Sequence, residues 1–88
     1  MEVTYQVELT PTALAELTRL DKTVAQRVMS KIRWLAENIN VLQLAALTAD
    51  LRRLFKLRTG SYRIIYSVNH RDKIITIHSI GHRRDVYK

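Results

Sequence analysis

Residues 3–8, VTYQVE, alternate apolar and polar side chains, the period-two signature of a half-buried strand. Thr10-Pro11 then offers a helix start. A threonine hydroxyl accepts from the unpaired first-turn N–H groups, and proline gives up no hydrogen bond at the first helical position. Leu14, Leu17 and Leu20 supply the apolar stripe of a short helix. Asp21 interrupts it and offers a second N-cap. From Lys22 onward Val24, Val28, Ile32 and Leu35, with Ala25 and Met29 beside them, recur at helical spacing to about Glu37. The pattern predicts two helices joined at a tight corner, an αα-hairpin laid against a sheet. Asn38-Ile39-Asn40 ends the second helix, and residues 41–51, apolar but without Gly or Pro, read as a short helix or packed turn.

After Leu51 the period changes to two. Residues 53–58, 61–68 and 73–80 alternate, with Thr59-Gly60 and residues 69–72 as turns, which predicts an antiparallel three-stranded meander. The first strand is expected to pair on its edge. Taking Thr59-Gly60 as a two-residue loop puts Arg58 opposite Ser61, Leu57 opposite Tyr62, Lys56 opposite Arg63 and Phe55 opposite Ile64. One face then collects Phe55, Leu57, Tyr62, Ile64, Tyr66, Ile75 and Ile77 as the core beneath the helices. The other collects Lys56, Arg58 and Arg63, with His78 beside Arg63 if the second loop has four residues. The expected class is α+β, a two-helix N-terminal hairpin on a small antiparallel sheet. With no linker, repeat or low-complexity stretch, residues 1–88 read as a single domain.

Charge sharpens this picture. Residues 1–51 hold five basic and six acidic side chains, whereas residues 52–88 hold ten basic and two acidic. The net +7 therefore comes wholly from the meander and the tail that follows it, where all three histidines also lie. Like charges directly opposite each other on paired strands repel, so a sheet shaped by stability alone has no reason to gather these cations. They suit an anionic partner, and phosphate above all. With no cysteine there is neither a disulfide framework nor a thiolate zinc site. Neither a metal nor any other cofactor is expected. No apolar run approaches the ~20 residues that span a bilayer, and Met1-Glu2-Val3 does not open a secretory signal, so the expected location is the cytoplasm, with no membrane partner.

Two segments carry a resemblance. LFKLRTGSYRIIY over residues 54–66 and IGHRRDVYK over residues 80–88 resemble the RelE/ParE superfamily of bacterial toxin–antitoxin toxins, and the length and order of elements match along essentially the whole chain. The resemblance implies a microbial-RNase-like sheet carrying two helices. It implies one of two activities: RelE-type members enter the ribosomal A site and cut mRNA without a metal, whereas ParE-type members poison DNA gyrase. A third class, a non-catalytic basic binding module, is compatible with the charge alone.

Carried over residue by residue, Lys56 matches a catalytic lysine of the RelE type, Arg63 its strand arginine, Arg83 the arginine after the last strand and Tyr87 the C-terminal tyrosine. Arg58 matches an arginine that helps hold RNA. Leu54 departs from the pattern, standing where some RelE proteins have another lysine, and Arg52, Arg53 or His82 are the replacement cations at hand. Arg84 and His78 complete the expected RNA-binding set. No carboxylate is well placed as a base. Nearby cations favour the Tyr87 phenolate, while His78 and His82 are its rivals. The implied partners are a cognate antitoxin, the ribosome with its mRNA, and operator DNA reached through the antitoxin.

Overall fold

A computed structural model describes residues 5–39 and 54–82. The expected segment at 41–51 and the tail beyond residue 82 lie outside these residues.

Strand β1 (Gln6–Leu9) leads into helix α1 (Pro11–Thr18) and helix α2 (Lys22–Asn38). The meander β2 (Phe55–Thr59), β3 (Tyr62–Asn69) and β4 (Ile74–His82) follows. The sheet order is β1-β4-β3-β2. The three later strands pair antiparallel as expected, and β1 adds to β4 in parallel, so the sheet as a whole is mixed.

The local rules behind the helices hold at the atomic level. Thr10 Oγ1 accepts from Ala13 N at 3.1 Å with Pro11 in the first helical turn. Asp21 occupies the second N-cap position but makes no side-chain capping bond; its carbonyl accepts from Ala25 N at 2.8 Å. In α2, Val28, Ile32 and Leu35 are buried, and Val24 and Met29 pack partly buried beside them. The stripe of α1 differs from the leucine spacing. Ala13 is fully buried and Leu17 and Leu20 are half-buried, while Leu14 turns outward at 53% exposure. A short helix lying close on a sheet accepts a methyl group where it would exclude a leucine. Trp34 is also partly outside, at 40% exposure, with Lys31 Nζ 4.2 Å from its ring centroid.

The helices and the near face of the sheet share one cluster, in which Ile32, Leu35, Ile64, Ile75, Ile77 and Ile80 are the largest fully buried side chains. Ile75, Ile77 and Ile80 cannot all face one way along a regular strand, because the last step is three residues. A bulge resolves this. Ile65 pairs with Ser79 while Tyr66 pairs with Ile77, so His78 is the extra residue and Ile80 returns to the core face.

The chain closes the β4 edge at the same place. β1 ends at Leu9, and among the described residues no strand pairs with the upper half of β4 on that side. Thr10 N donates to Ile77 O at 3.0 Å, Thr10 Oγ1 donates to His78 O at 3.2 Å, and Glu16 Oε1 accepts from Ile80 N at 2.9 Å. The start and second turn of α1 thus satisfy backbone groups that a longer strand would have paired.

Candidate functional site

The hairpin register differs from the expected one. Thr59 pairs with Tyr62, Arg58 with Arg63, Leu57 with Ile64, Lys56 with Ile65 and Phe55 with Tyr66. The two-residue loop is therefore Gly60-Ser61, not Thr59-Gly60. Only Gly60, at φ +61°, takes the left-handed region in this turn, which is the type II′ arrangement with glycine first. The expected loop would have placed β-branched Thr59 in its first position, where a positive φ is most costly. Lys56 consequently stands opposite Ile65, and the directly opposed like charges are Arg58 and Arg63.

The slip is two residues, so every side chain keeps its face. Phe55, Leu57, Tyr62, Ile64 and Tyr66 take the helix side, and Lys56, Arg58 and Arg63 share the side away from the helices. Lys56 and Arg58 are exposed, whereas Arg63 is only 9% exposed. A recess of about 80 Å³ lies at the turn end of this hairpin, lined by Arg58, Gly60, Ser61, Tyr62 and Arg63. An exposed guanidinium paired across the strands with a buried one sets a donor array held by burial beside a solvent-facing cation. Guanidinium forks match phosphate oxygens better than point charges do.

His78 is not beside Arg63. The second loop is His70–Lys73, one residue later than expected, closed by Asn69 Oδ1 accepting from Asp72 N at 3.0 Å and by Lys73 at φ 59°. That displacement and the bulge bring Gly81 opposite Arg63. His78 instead places Nε2 2.8 Å from Ser67 Oγ, further along β3. His82 pairs with Tyr62, its ring edge-on at 5.5 Å, on strand positions that alternate with those of Arg63 and Gly81. Arg52, Arg53, Arg83, Arg84 and Tyr87 lie outside the described residues.

Two participants were missing from the sequence reading. Glu16 takes both Ile80 N and, at 3.2 Å, Ser79 Oγ, which fixes the bulge from the α1 side. Ser67 orients His78. Neither has a local signal, because each acts on a partner distant in sequence. Tyr5 and Tyr66 are both buried, and burial pushes the Tyr66 phenol above the ordinary value of 10.0. Among the described residues no three His, Cys, Asp or Glu side chains gather as a metal site, and no helix is long and apolar enough to cross a membrane.

Residues 7–87 match the family model for the ParE toxin of the type II toxin–antitoxin system parDE. A RelE-like toxin protein of Escherichia coli is 31% identical over 90 residues, covering 94% of this chain and 90% of its own length. The chain belongs to the RelE/ParE family of type II toxins.

Solved structures agree with the membership. The RelBE2 toxin–antitoxin complex of Mycobacterium tuberculosis contains a chain that superposes with TM-score 0.65 at 26% identity, over 92% of this toxin and 100% of that chain. The intact RelBE complex of E. coli gives 0.61 at 26%, over 89% and 95%. A free E. coli RelE variant gives 0.72 at 20% identity, over 94% and 87%, and bears on the fold alone. Both complexes pair their toxin with an antitoxin.

Proposed function

We propose that this toxin is a metal-independent endoribonuclease that cuts mRNA in the ribosomal A site, built as one domain over residues 1–88. The observation that carries the reading is the sheet face away from the helices, where Arg58 stands directly across from buried Arg63 and Lys56 follows one step along the hairpin.

Cleavage of this kind removes a proton from a 2′-OH, whose oxygen attacks the adjacent phosphorus. Negative charge builds on the phosphorane, and the 5′-oxygen leaves with a proton, so a 2′,3′-cyclic phosphate and a 5′-hydroxyl end result. Arg63 and Lys56 stabilise the charge on the phosphorane. Burial holds Arg63 before the substrate arrives, and a preorganised donor of this sort contributes about 10²–10³ in rate. Arg58 steers and holds the strand. By family resemblance Arg83 serves the phosphate oxygens and the leaving group, and Tyr87 is the base. Arg52, Arg53, Arg84, His78 and His82 complete the proposed RNA-binding set.

A cognate antitoxin silences the toxin, its acidic or amphipathic segment folding against the basic half of the chain. Through that antitoxin the complex binds operator DNA as a co-repressor. The cytoplasm is the compartment where all these partners meet.

The test is purified toxin incubated with translating ribosomes, with mRNA ends mapped by primer extension. Wild type yields cuts in A-site codons, and Arg63→Ala lowers the cleavage rate about 10²–10³-fold. Tyr87→Phe and Arg83→Ala lower it as well; undiminished cleavage in both removes them from the mechanism. The match to the ParE model favours a second reading, gyrase inhibition. Under it mRNA stays intact, the same variants remain toxic, and cells accumulate DNA breaks.

A further inference from the structure

The bulge in β4 has an effect on the far side of the sheet. A regular strand carrying Ile77 and Ile80 on opposite faces would leave only one of them in the core. With His78 inserted, both isoleucines are buried, and the His78 ring is delivered to Ser67, with Nε2 and Oγ 2.8 Å apart. Ser67 lies on β3 at the same alternation as Arg63 and Ile65, hence on the sheet face that carries the cations. The His78 backbone is held independently, by Thr10 Oγ1 donating to its carbonyl at 3.2 Å. The ring is half-buried and its partner hydroxyl is half-buried too, so the pair is both positioned and reachable.

Along β3 this face forms three rungs. Arg63 with Arg58 opposite is the first, Ile65 with Lys56 opposite is the second, and Ser67 with His78 is the third. Two residues separate successive rungs, about 6.7 Å of strand, and about 13 Å separates the first from the third. His78 is thus too far along the sheet to share the phosphate that Arg63 holds, which speaks against its being a base at that phosphate. It is well placed for a different phosphate of the same strand.

Resting on the ribonuclease reading above, we propose that Ser67 and His78 form a phosphate-binding subsite for a flanking nucleotide of single-stranded RNA, which runs along β3 past Lys56. The imidazole donates to the phosphate, and Ser67 fixes the ring plane.

The experiment uses 2′-O-methyl oligoribonucleotides of two, three and four nucleotides, which offer every phosphate and lack the attacking hydroxyl. Affinities are measured for the full chain at low salt, alongside the histidine ring resonances. Wild type binds the four-nucleotide probe about tenfold more tightly than the two-nucleotide probe, the worth of one charge-assisted phosphate contact. His78→Gln and Ser67→Ala lose that gain. The His78 resonances move with the long probe only. A length dependence untouched by His78→Gln overturns the subsite alone, as does equal weakening at all lengths. Failure of wild type to bind any probe overturns the RNA reading and the subsite together.

Discussion

Replacing Glu16 by alanine tests the account of how the bulge is held. Its carboxylate accepts from Ile80 N at 2.9 Å and from Ser79 Oγ at 3.2 Å. The serine hydroxyl is half-buried and can turn to water, so its loss costs little. The amide cannot, because Ile80 is 1% exposed and lies in the core cluster. A hydrogen bond to a charged acceptor contributes about 1.5–3 kcal/mol, and an orphaned buried N–H costs about 1–3 kcal/mol. These are overlapping views of one loss, so Glu16→Ala destabilises the fold by about 1.5–3 kcal/mol. For a chain this short that is about 6–24 °C in Tm.

Thermal unfolding followed by circular dichroism gives the number, and amide exchange at Ile80 localises it. The exchange rate of that amide rises more than global destabilisation accounts for. Glu16→Gln keeps an acceptor oxygen without the charge and recovers about half of the loss. If Glu16→Ala melts within about 3 °C of wild type, the carboxylate is not what satisfies the β4 edge, and the reasoning fails.

Three further outcomes are expected. Thr10→Ala removes both the α1 cap and the donor to His78 O, for a loss of about 1–2 kcal/mol in urea denaturation, and Thr10→Ser restores most of it. Gly60→Ala places a side chain at φ +61°, where a Cβ would meet nothing nearer than Arg27 Nη1 at 3.9 Å. Backbone strain alone therefore sets its cost, about 1 kcal/mol by the same measurement, and an unchanged midpoint argues against the type II′ turn. Tyr66 provides a pH test. Burial raises its folded-state pKa above the ordinary 10.0, so the unfolded chain releases the proton first as pH climbs. Its contribution to stability is complete below about pH 10 and is lost above it, and Tyr66→Phe flattens that alkaline decline. An equally steep decline in the variant assigns it to another group.

Period alone sufficed for much of this protein. The Thr10-Pro11 start, the Val28–Ile32–Leu35 stripe and the split of the hairpin into a cationic and an apolar face all follow from local rules. The faces survived even though the register was expected two residues away, because an even slip leaves each side chain on its own side. The net positive charge was already confined to residues 52–88, and the motifs in that half carried the family resemblance.

Tertiary structure decided which cations meet. Turn chemistry at Gly60 paired Arg58 with Arg63 and moved Lys56 to Ile65. A bulge carried His78 away from Arg63 to Ser67, since the core needed Ile77 and Ile80 on one side. Leu14 gave way to Ala13 because a helix pressed on a sheet selects by space as well as hydrophobicity. Glu16, unmarked by any motif, secures the arrangement through a backbone amide sixty-four positions away. Alternation along a strand is a local property and can be read from its residues. Register is set by turns, bulges and distant hydrogen bonds, and these exist only once the chain has closed on itself.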